Sequence, residues 1–118
     1  MGTVKVKRVY DPVEETDGKR ILVDRLWPRG MKKEAAHLDA WLKNVAPSTE
    51  LRKWFHHDAG EWDEFVIRYT RELIQNTAVK ELADITHKNK IVTLLYAAHD
   101  AEHNHALVLL EFIKEHIK

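Results

Sequence analysis

Asp24, Arg25, Trp27 and Arg29 lie close together in the run Asp-Arg-Leu-Trp-Pro-Arg-Gly, and their types are those of a ligand site. Arginine offers a planar fork suited to carboxylate or phosphate, tryptophan offers a stacking surface, and a partly buried aspartate can act as a base. Residues 25, 27 and 29 share a face if the chain is extended there, although Pro28 works against that extension. Asn104 and His105, far along the chain, add groups of another kind. Asparagine can hold a carbonyl, an amide or a ribose hydroxyl, and histidine exchanges protons near neutral pH. Arg25 and Arg29 are therefore candidates to bind an anion, Trp27 or Tyr96 to stack on it, and Asp24 with His105 to handle protons. A structural account competes with this: Asp24 pairs with an arginine, Trp27 fills the core, and Asn104 and His105 tie a helix to a neighbouring loop.

The elements that must position these residues can be read from the hydrophobic pattern. Ile21 to Val23 form a short buried strand, about residues 20–26, which Pro28 and Gly30 stop. The charged and aromatic residues behind it are thus delivered to the strand's carboxyl end, where open α/β sheets bind ligands. Val4, Val6 and Val9 with Tyr10 suggest a first strand, near an edge because Lys5, Lys7 and Arg8 interleave. Residues 11–18 read as a loop. Ile91 to Ala98 is a near-continuous apolar run of the kind found in parallel strands covered on both faces.

Helices fill the interval. Leu38, Trp41, Leu42 and Val45 recur at helical spacing and predict a helix over about 32–45. Pro47-Ser48 ends it and starts a shorter helix with Leu51, Trp54 and Phe55. Asp58 and Glu61 fit an acidic capping box for the next helix, whose apolar face is Trp62, Phe65, Val66, Tyr69 and Leu73. Val79, Leu82, Ala83 and Thr86 suggest a further helix before Asn89. Asp100 is the expected cap of a last helix, with Glu102 in its first turn and free amides near 101–103. That helix is apolar nearly all round from Ala106 to Ile113 apart from Glu111, so it is either well buried or a dimer interface. The expected fold is α/β: a single compact domain over residues 1–118 with a small, largely parallel sheet of at least three strands, covered by about five helices. A crossover this long lets strands 20–26 and 91–98 lie parallel, so residues 24–30 and 96–105 should meet on one edge.

Composition bounds the function. The 19 Lys and Arg cancel the 19 Asp and Glu, so no overall field draws the protein to nucleic acid or a membrane. The distribution is less even: residues 1–33 hold nine basic against five acidic residues, a surplus of +4, and the remainder carries the matching −4. With no cysteine, disulfides and thiolate chemistry are excluded. No apolar stretch approaches the ~18 residues that span a bilayer. The start lacks a signal peptide's apolar region, and Val6 breaks the myristoylation pattern. A cytoplasmic protein is the expectation.

Other groupings carry less. His99, Asp100, His103 and His105 do not converge as metal ligands, because residues 103 and 105 diverge around a helix, and no metal or other cofactor is expected. His56-His57 reads as a helix end. Arg68 stands four residues from both Glu64 and Glu72, a spacing that supports an exposed helix. Arg52 beside Trp54 is adequately explained by an amphipathic helix. Tyr10 and Tyr96 end two strands, so their hydroxyls are candidates for the same crevice, and each is equally suited to the core. There is no Gly-rich phosphate loop, nucleophile elbow or zinc signature.

Arg8-Val9-Tyr10-Asp11, Asp17-Gly18, Val23 to Gly30, Pro47 to Arg52 and Asn104-His105-Ala106 together resemble the YeaO-like family, the domain-of-unknown-function 488 group, over essentially the whole chain. The resemblance implies a small bacterial or archaeal α/β protein and brings no established reaction with it.

Two readings of function follow. One is a small intracellular enzyme, hydrolytic or group-transferring, acting on an anionic, nucleotide-like or nucleic-acid-derived ligand. The other is a non-catalytic module that binds nucleic acid or protein through the basic N-terminal third, with Lys5, Lys7, Lys32 and Lys33 as contacts. A homodimer through the last helix is a third role.

Overall fold

A computed structural model describes residues 2–57 and 61–117. The strands β1 (Thr3–Arg8), β2 (Lys19–Leu22), β3 (Ala40–Trp41) and β4 (Ile91–Tyr96) form one sheet in the order β1-β4-β2-β3. Every pairing in it is parallel. The apolar run at 91–98 is thus the central strand, and the lysine-interleaved first strand is an edge, as the sequence predicts. The helices are α1 (Lys33–Ala36), α2 (Thr49–His57), α3 (Trp62–Ile74), α4 (Val79–Lys88) and α5 (His105–His116). None is long and apolar enough to cross a membrane.

Alternation along the strands divides the sheet into two unequal faces. Ile21, Val23, Val92, Leu94 and Tyr96 join Phe65, Tyr69, Leu73, Leu82, Leu109 and Ile113 in the main core under α3, α4 and α5. The opposite face has a small core of Val9, Leu22 and Leu95 under Trp27, Met31 and Leu38. Lys7 and Arg20 reach the buried Asp17 (2% exposed) of the 3-10 turn Glu15–Asp17. Gly18, at φ 63, makes the turn from there into β2. A Cβ at that position would collide with the Ile91 carbonyl, so only glycine allows this close approach.

The expected helix over 32–45 is largely replaced. Helix α1 stops after four residues at His37, whose φ of 48 is left-handed. The chain then docks beside β2: the Asp39 amide donates to the Arg20 carbonyl at 2.8 Å and the Leu42 amide to the Leu22 carbonyl at 2.9 Å. Leu38 packs in the small core while Leu42 and Val45 pack in the main one. The helical spacing was therefore not one face of a helix, because these side chains serve opposite faces of a sheet. Strand β2 is also shorter than the predicted 20–26, although the Val23 amide continues its ladder to the Leu95 carbonyl at 3.0 Å.

Two predicted caps differ as well. Asp58 lies outside the described residues, and Glu61 occupies the N-cap of α3 without a capping hydrogen bond from its side chain. Helix α5 begins after Asn104, not Asp100. The buried Asn104 accepts from the Leu107 amide at 3.1 Å and donates to the Asp100 carbonyl at 3.0 Å. Asp100 instead accepts from the amides of Glu102 and His103, forming a turn ahead of the helix. Those hydrogen bonds, with one to the His103 ring, hold its carboxyl below the ordinary value. Both residue types cap helices well, and the second one in the chain does so here.

Candidate functional site

The carboxyl ends of β1, β4 and β2 meet at one edge of the sheet, and Asp24 stands at its centre. Three neighbours fix it. Its backbone carbonyl accepts from Trp41 Nε1 at 2.7 Å, so the short strand that replaced the predicted helix positions the site. Its Oδ2 accepts from the Ala97 amide at 3.0 Å, across from β4. His105, from the first turn of α5, brings Nε2 to 3.1 Å from Asp24 Oδ1 and 3.0 Å from the Val23 carbonyl oxygen.

The second of those contacts fixes the histidine's chemistry. A carbonyl oxygen can only accept, so Nε2 carries the proton and donates it to Val23. That leaves Asp24 Oδ1 close to the ring but without a hydrogen bond, although the atom is buried. A buried acceptor left unpaired costs about 1–3 kcal/mol. The residue that carries it lines a cavity.

The cavity has a volume of about 290 Å³ and lies between the β2 and β4 ends and helices α2, α3 and α5. Asp24, Arg25, Asn104 and His105 all line it, together with Phe55 and Phe65, whose rings stack at 4.4 Å. Sequence positions 24–25 and 104–105 thus converge despite the length of chain between them. The convergence follows from the parallel register of β2 and β4, in which Leu22 stands opposite Leu95.

Arg25 is less available than its type suggests. Nε donates to the Pro47 carbonyl at 3.1 Å and Nη2 to the Ala46 carbonyl at 3.2 Å. The same segment is held by the buried Tyr69 hydroxyl, which donates to the Val45 carbonyl at 2.6 Å, and by Glu72, which accepts from the Ser48 amide and hydroxyl. Burial, with Glu72 and Asp24 nearby, pushes the Tyr69 hydroxyl well above its ordinary pKa, so it remains a donor. Residues 45–48 are therefore clamped from three sides, and Arg25 is one of the clamps.

Arg52 is the residue that the sequence pattern assigned to an amphipathic helix instead of to the site. It lines the same cavity from α2, and its Nε is buried with no hydrogen-bond partner among the described residues. Ser48 caps this helix by accepting from the Leu51 amide at 3.1 Å, which sets the arginine one residue later against the cavity. The signal available in the sequence was the Pro47 to Arg52 motif.

Trp27 and Arg29 face a second, open cleft of about 670 Å³, bordered by Arg8, Tyr10 and Pro28. Trp27 is half buried over the small core, donates from Nε1 to the Met31 carbonyl at 2.7 Å and meets Trp41 edge-on. Tyr10 donates to the Arg29 carbonyl at 2.7 Å. Tyr96, expected to stack on a ligand, is 4% exposed in the main core and lines neither space. The helix amides expected near 101–103 are not helical, and two of them are engaged by Asp100. Among the described residues no group of three or more acidic or histidine side chains is placed to hold a metal ion.

The parallel sheet and its edge crevice define a small α/β protein with a candidate binding site at the strand carboxyl ends. A family model described as "Inactive DUF488-N3 subclade" matches residues 3–118. "Uncharacterized protein YeaO" of Escherichia coli is 51% identical over 112 residues, covering 94% of this chain and 96% of that protein. "Uncharacterized protein Rv3073c" of Mycobacterium tuberculosis is 42% identical over 110 residues, covering 93% and 92% respectively. The chain belongs to the YeaO-like DUF488 family, as its motifs predict. No solved structure matches it.

Proposed function

We propose that this protein is a binding domain for a small anionic, nucleotide-like ligand that enters the Asp24–Arg52 cavity. One observation carries the reading: Asp24 and Arg52 both line that cavity, and each has a buried polar atom, Oδ1 and Nε, without a hydrogen-bond partner among the described residues. A ligand that donates a hydroxyl to the first and presents an anionic oxygen to the second satisfies both. A ribose or sugar hydroxyl beside a phosphate is that combination. The Phe55 and Phe65 rings suit a flat apolar body. At about 290 Å³ the cavity stands at the lower end of the ~300–1,000 Å³ usual for small-molecule sites, which favours a compact ligand.

Binding is favoured over catalysis for two reasons. The His105 nitrogen nearest Asp24 already donates to a backbone carbonyl, so it has no lone pair with which to accept a ligand proton there. The matching subclade is also described as inactive. A catalytic reading survives in Asp24 alone, whose unpaired oxygen is placed as a general base would be. The basic-patch reading is weakened by the engagement of two of its four lysines: Lys5 donates to the Thr16 carbonyl and Lys7 pairs with Glu14 and Asp17.

Thermal unfolding with nucleoside monophosphates, sugar phosphates and inorganic phosphate tests the proposal. A ligand at 100 times its Kd adds about 2.7 kcal/mol to stability, and Arg52→Ala should remove that gain. A panel without any stabilising ligand, or stabilisation that survives Arg52→Ala, refutes the assignment. Consumption of a bound nucleotide that ceases in Asp24→Asn even at concentrations that saturate the variant establishes the catalytic reading instead.

A further inference from the structure

Asp24, Leu26 and Ala98 border both the cavity and the more open cleft. The two spaces are neighbours on one sheet edge, and Leu26 stands between them with 59% of its surface exposed. Each has its own arginine. Arg52 serves the cavity, while Arg29 borders the cleft, is exposed, and has no ion pair or side-chain hydrogen bond among the described residues. Arg8 is occupied: Nε donates to the Ala98 carbonyl at 2.9 Å and Nη2 to the Ala97 carbonyl at 3.3 Å. Its guanidinium lies 4.9 Å from the centroid of the Tyr10 ring, which is 39% exposed. Tyr10 and the half-buried Trp27 give the cleft the aromatic surface on which bases stack without regard to sequence.

Resting on the nucleotide-binding reading above, we propose that the cavity and the cleft are two subsites for one ligand, a dinucleotide unit joined by a phosphodiester. One nucleotide occupies the cavity, with its phosphate at Arg52 and a sugar hydroxyl at Asp24. The linker crosses Leu26, and the second nucleotide lies in the cleft against Tyr10 or Trp27 with its phosphate at Arg29. A mononucleotide leaves the cleft, its free guanidinium and its aromatic surface unused. The same chemistry is offered by a free dinucleotide and by the end of a longer single strand.

Calorimetric titration distinguishes these cases. Wild type, Arg29→Ala, Leu26→Glu and Arg52→Ala are titrated with adenosine monophosphate, a 5′-phosphorylated diadenosine dinucleotide and 5′-phosphorylated single strands of adenosine of increasing length. Arg29 and Leu26 are both exposed. Because Leu26 also borders the cavity, its variant is read against its own affinity for the monophosphate, and circular dichroism confirms folding of each variant. The dinucleotide should bind wild type on the order of tenfold more tightly than the monophosphate, as one additional stacked base implies. Arg29→Ala and Leu26→Glu should reduce that advantage to nothing, and Arg52→Ala should weaken both ligands. If the longer strands bind no more tightly than the dinucleotide, the site takes a two-nucleotide unit as proposed, whereas progressive gain with strand length overturns the two-subsite limit. Equal affinity for monophosphate and dinucleotide, both sensitive to Arg52→Ala, defeats the second subsite and leaves the cavity assignment standing. Indifference of every ligand to Arg52→Ala defeats the cavity assignment, and the two-subsite proposal with it.

Discussion

Two carboxylates bracket β2, and the protein treats them in opposite ways. Asp17, just before the strand, is saturated. Lys7 Nζ lies 2.9 Å from its Oδ1, the Glu14 amide 3.0 Å from its Oδ2, and Arg20 Nη1 closes on the same Oδ2. Thr93 Oγ1 donates to its backbone carbonyl at 2.6 Å. Asp24, just after the strand, has one oxygen engaged by the Ala97 amide and the other beside His105 Nε2 at 3.1 Å but without a hydrogen bond. The more deeply buried of the two is the structural one. The degree to which its hydrogen-bonding capacity is met, not depth, separates the group that holds the fold from the group left for a ligand.

That contrast predicts its largest effect at Asp17. Asp17→Ala leaves the buried Arg20 without a counter-charge and Lys7 with Glu14 alone, and breaking a buried pair from one side costs roughly 3–5 kcal/mol. Urea unfolding measures this; a loss below ~1 kcal/mol would show that the cluster is not the anchor described. The pH dependence has a definite sign. Burial raises the Asp17 pKa, but the Glu14 amide, Lys7 and Arg20 outweigh it and leave the carboxyl below its ordinary value. Its contribution is therefore present above the unfolded value of ~3.9 and is lost as pH falls through the lower folded value. Burial lowers Lys7, but its bonds to Asp17 and Glu14 outweigh that and raise it, so its share is lost only as pH rises through a folded value above 10.5. Asp17→Asn should flatten the acid limb of the stability profile.

Arg25 comes next, and it sharpens the comparison by lying on the site but behaving like Asp17. Its two donors satisfy the Ala46 and Pro47 carbonyls, and hydrogen bonds to charged groups are worth about 1.5–3 kcal/mol. Arg25→Ala should lower stability by roughly that amount and weaken ligand binding only through the displaced 45–48 segment. Binding lost with stability unchanged would return Arg25 to the role of direct anion contact.

The sequence made some of this legible and hid the rest for physical reasons. The run 91–98 revealed the central strand because burial on both faces removes polar residues. The meeting of Asp24 with His105 followed from parallel strands ending on one edge. Strand β3 was not legible, since its two residues are extended only through pairing with β2. Residues shared between two cores mimicked a helix. Arg52 went unrecognised because its isolation depends on how α2 packs over the cavity, which no local pattern encodes. Asn104 proved to be a helix cap, a role its neighbour Asp100 was equally equipped to fill.

Asp24→Asn should have a modest effect on stability and a large one on binding. The amide oxygen can still accept from Ala97, while the amide nitrogen faces the protonated Nε2 of His105, so a loss of about 1–2 kcal/mol is expected, less than at Asp17. Affinity for a hydroxyl-bearing anion should fall at least tenfold, on the order of the 1.4 kcal/mol that one hydrogen bond to a charged group supplies. Strong destabilisation with retained binding would invert the contrast with Asp17.

The smallest effect belongs to an exposed charge, which bounds the comparison from the other side. Arg68 pairs with Glu64 at 3.0 Å and lies 4.1 Å from the centroid of the Trp54 ring. Its other expected partner, Glu72, is occupied by Ser48. An exposed pair four residues apart on a helix contributes about 0.3–0.5 kcal/mol and an exposed cation–π contact about 0.5–1 kcal/mol. Arg68→Ala should therefore cost about 1 kcal/mol and at most ~1.5 kcal/mol, and high salt should reduce the difference because both partners are open to solvent. Glu72→Gln serves as the counterpart, because it weakens the clamp on residues 45–48 that also sets Arg52 against the cavity. If Arg68→Ala proved as damaging as Glu72→Gln, exposure and satisfaction would not separate these charges, and the distinction drawn between Asp17 and Asp24 would lose its physical basis.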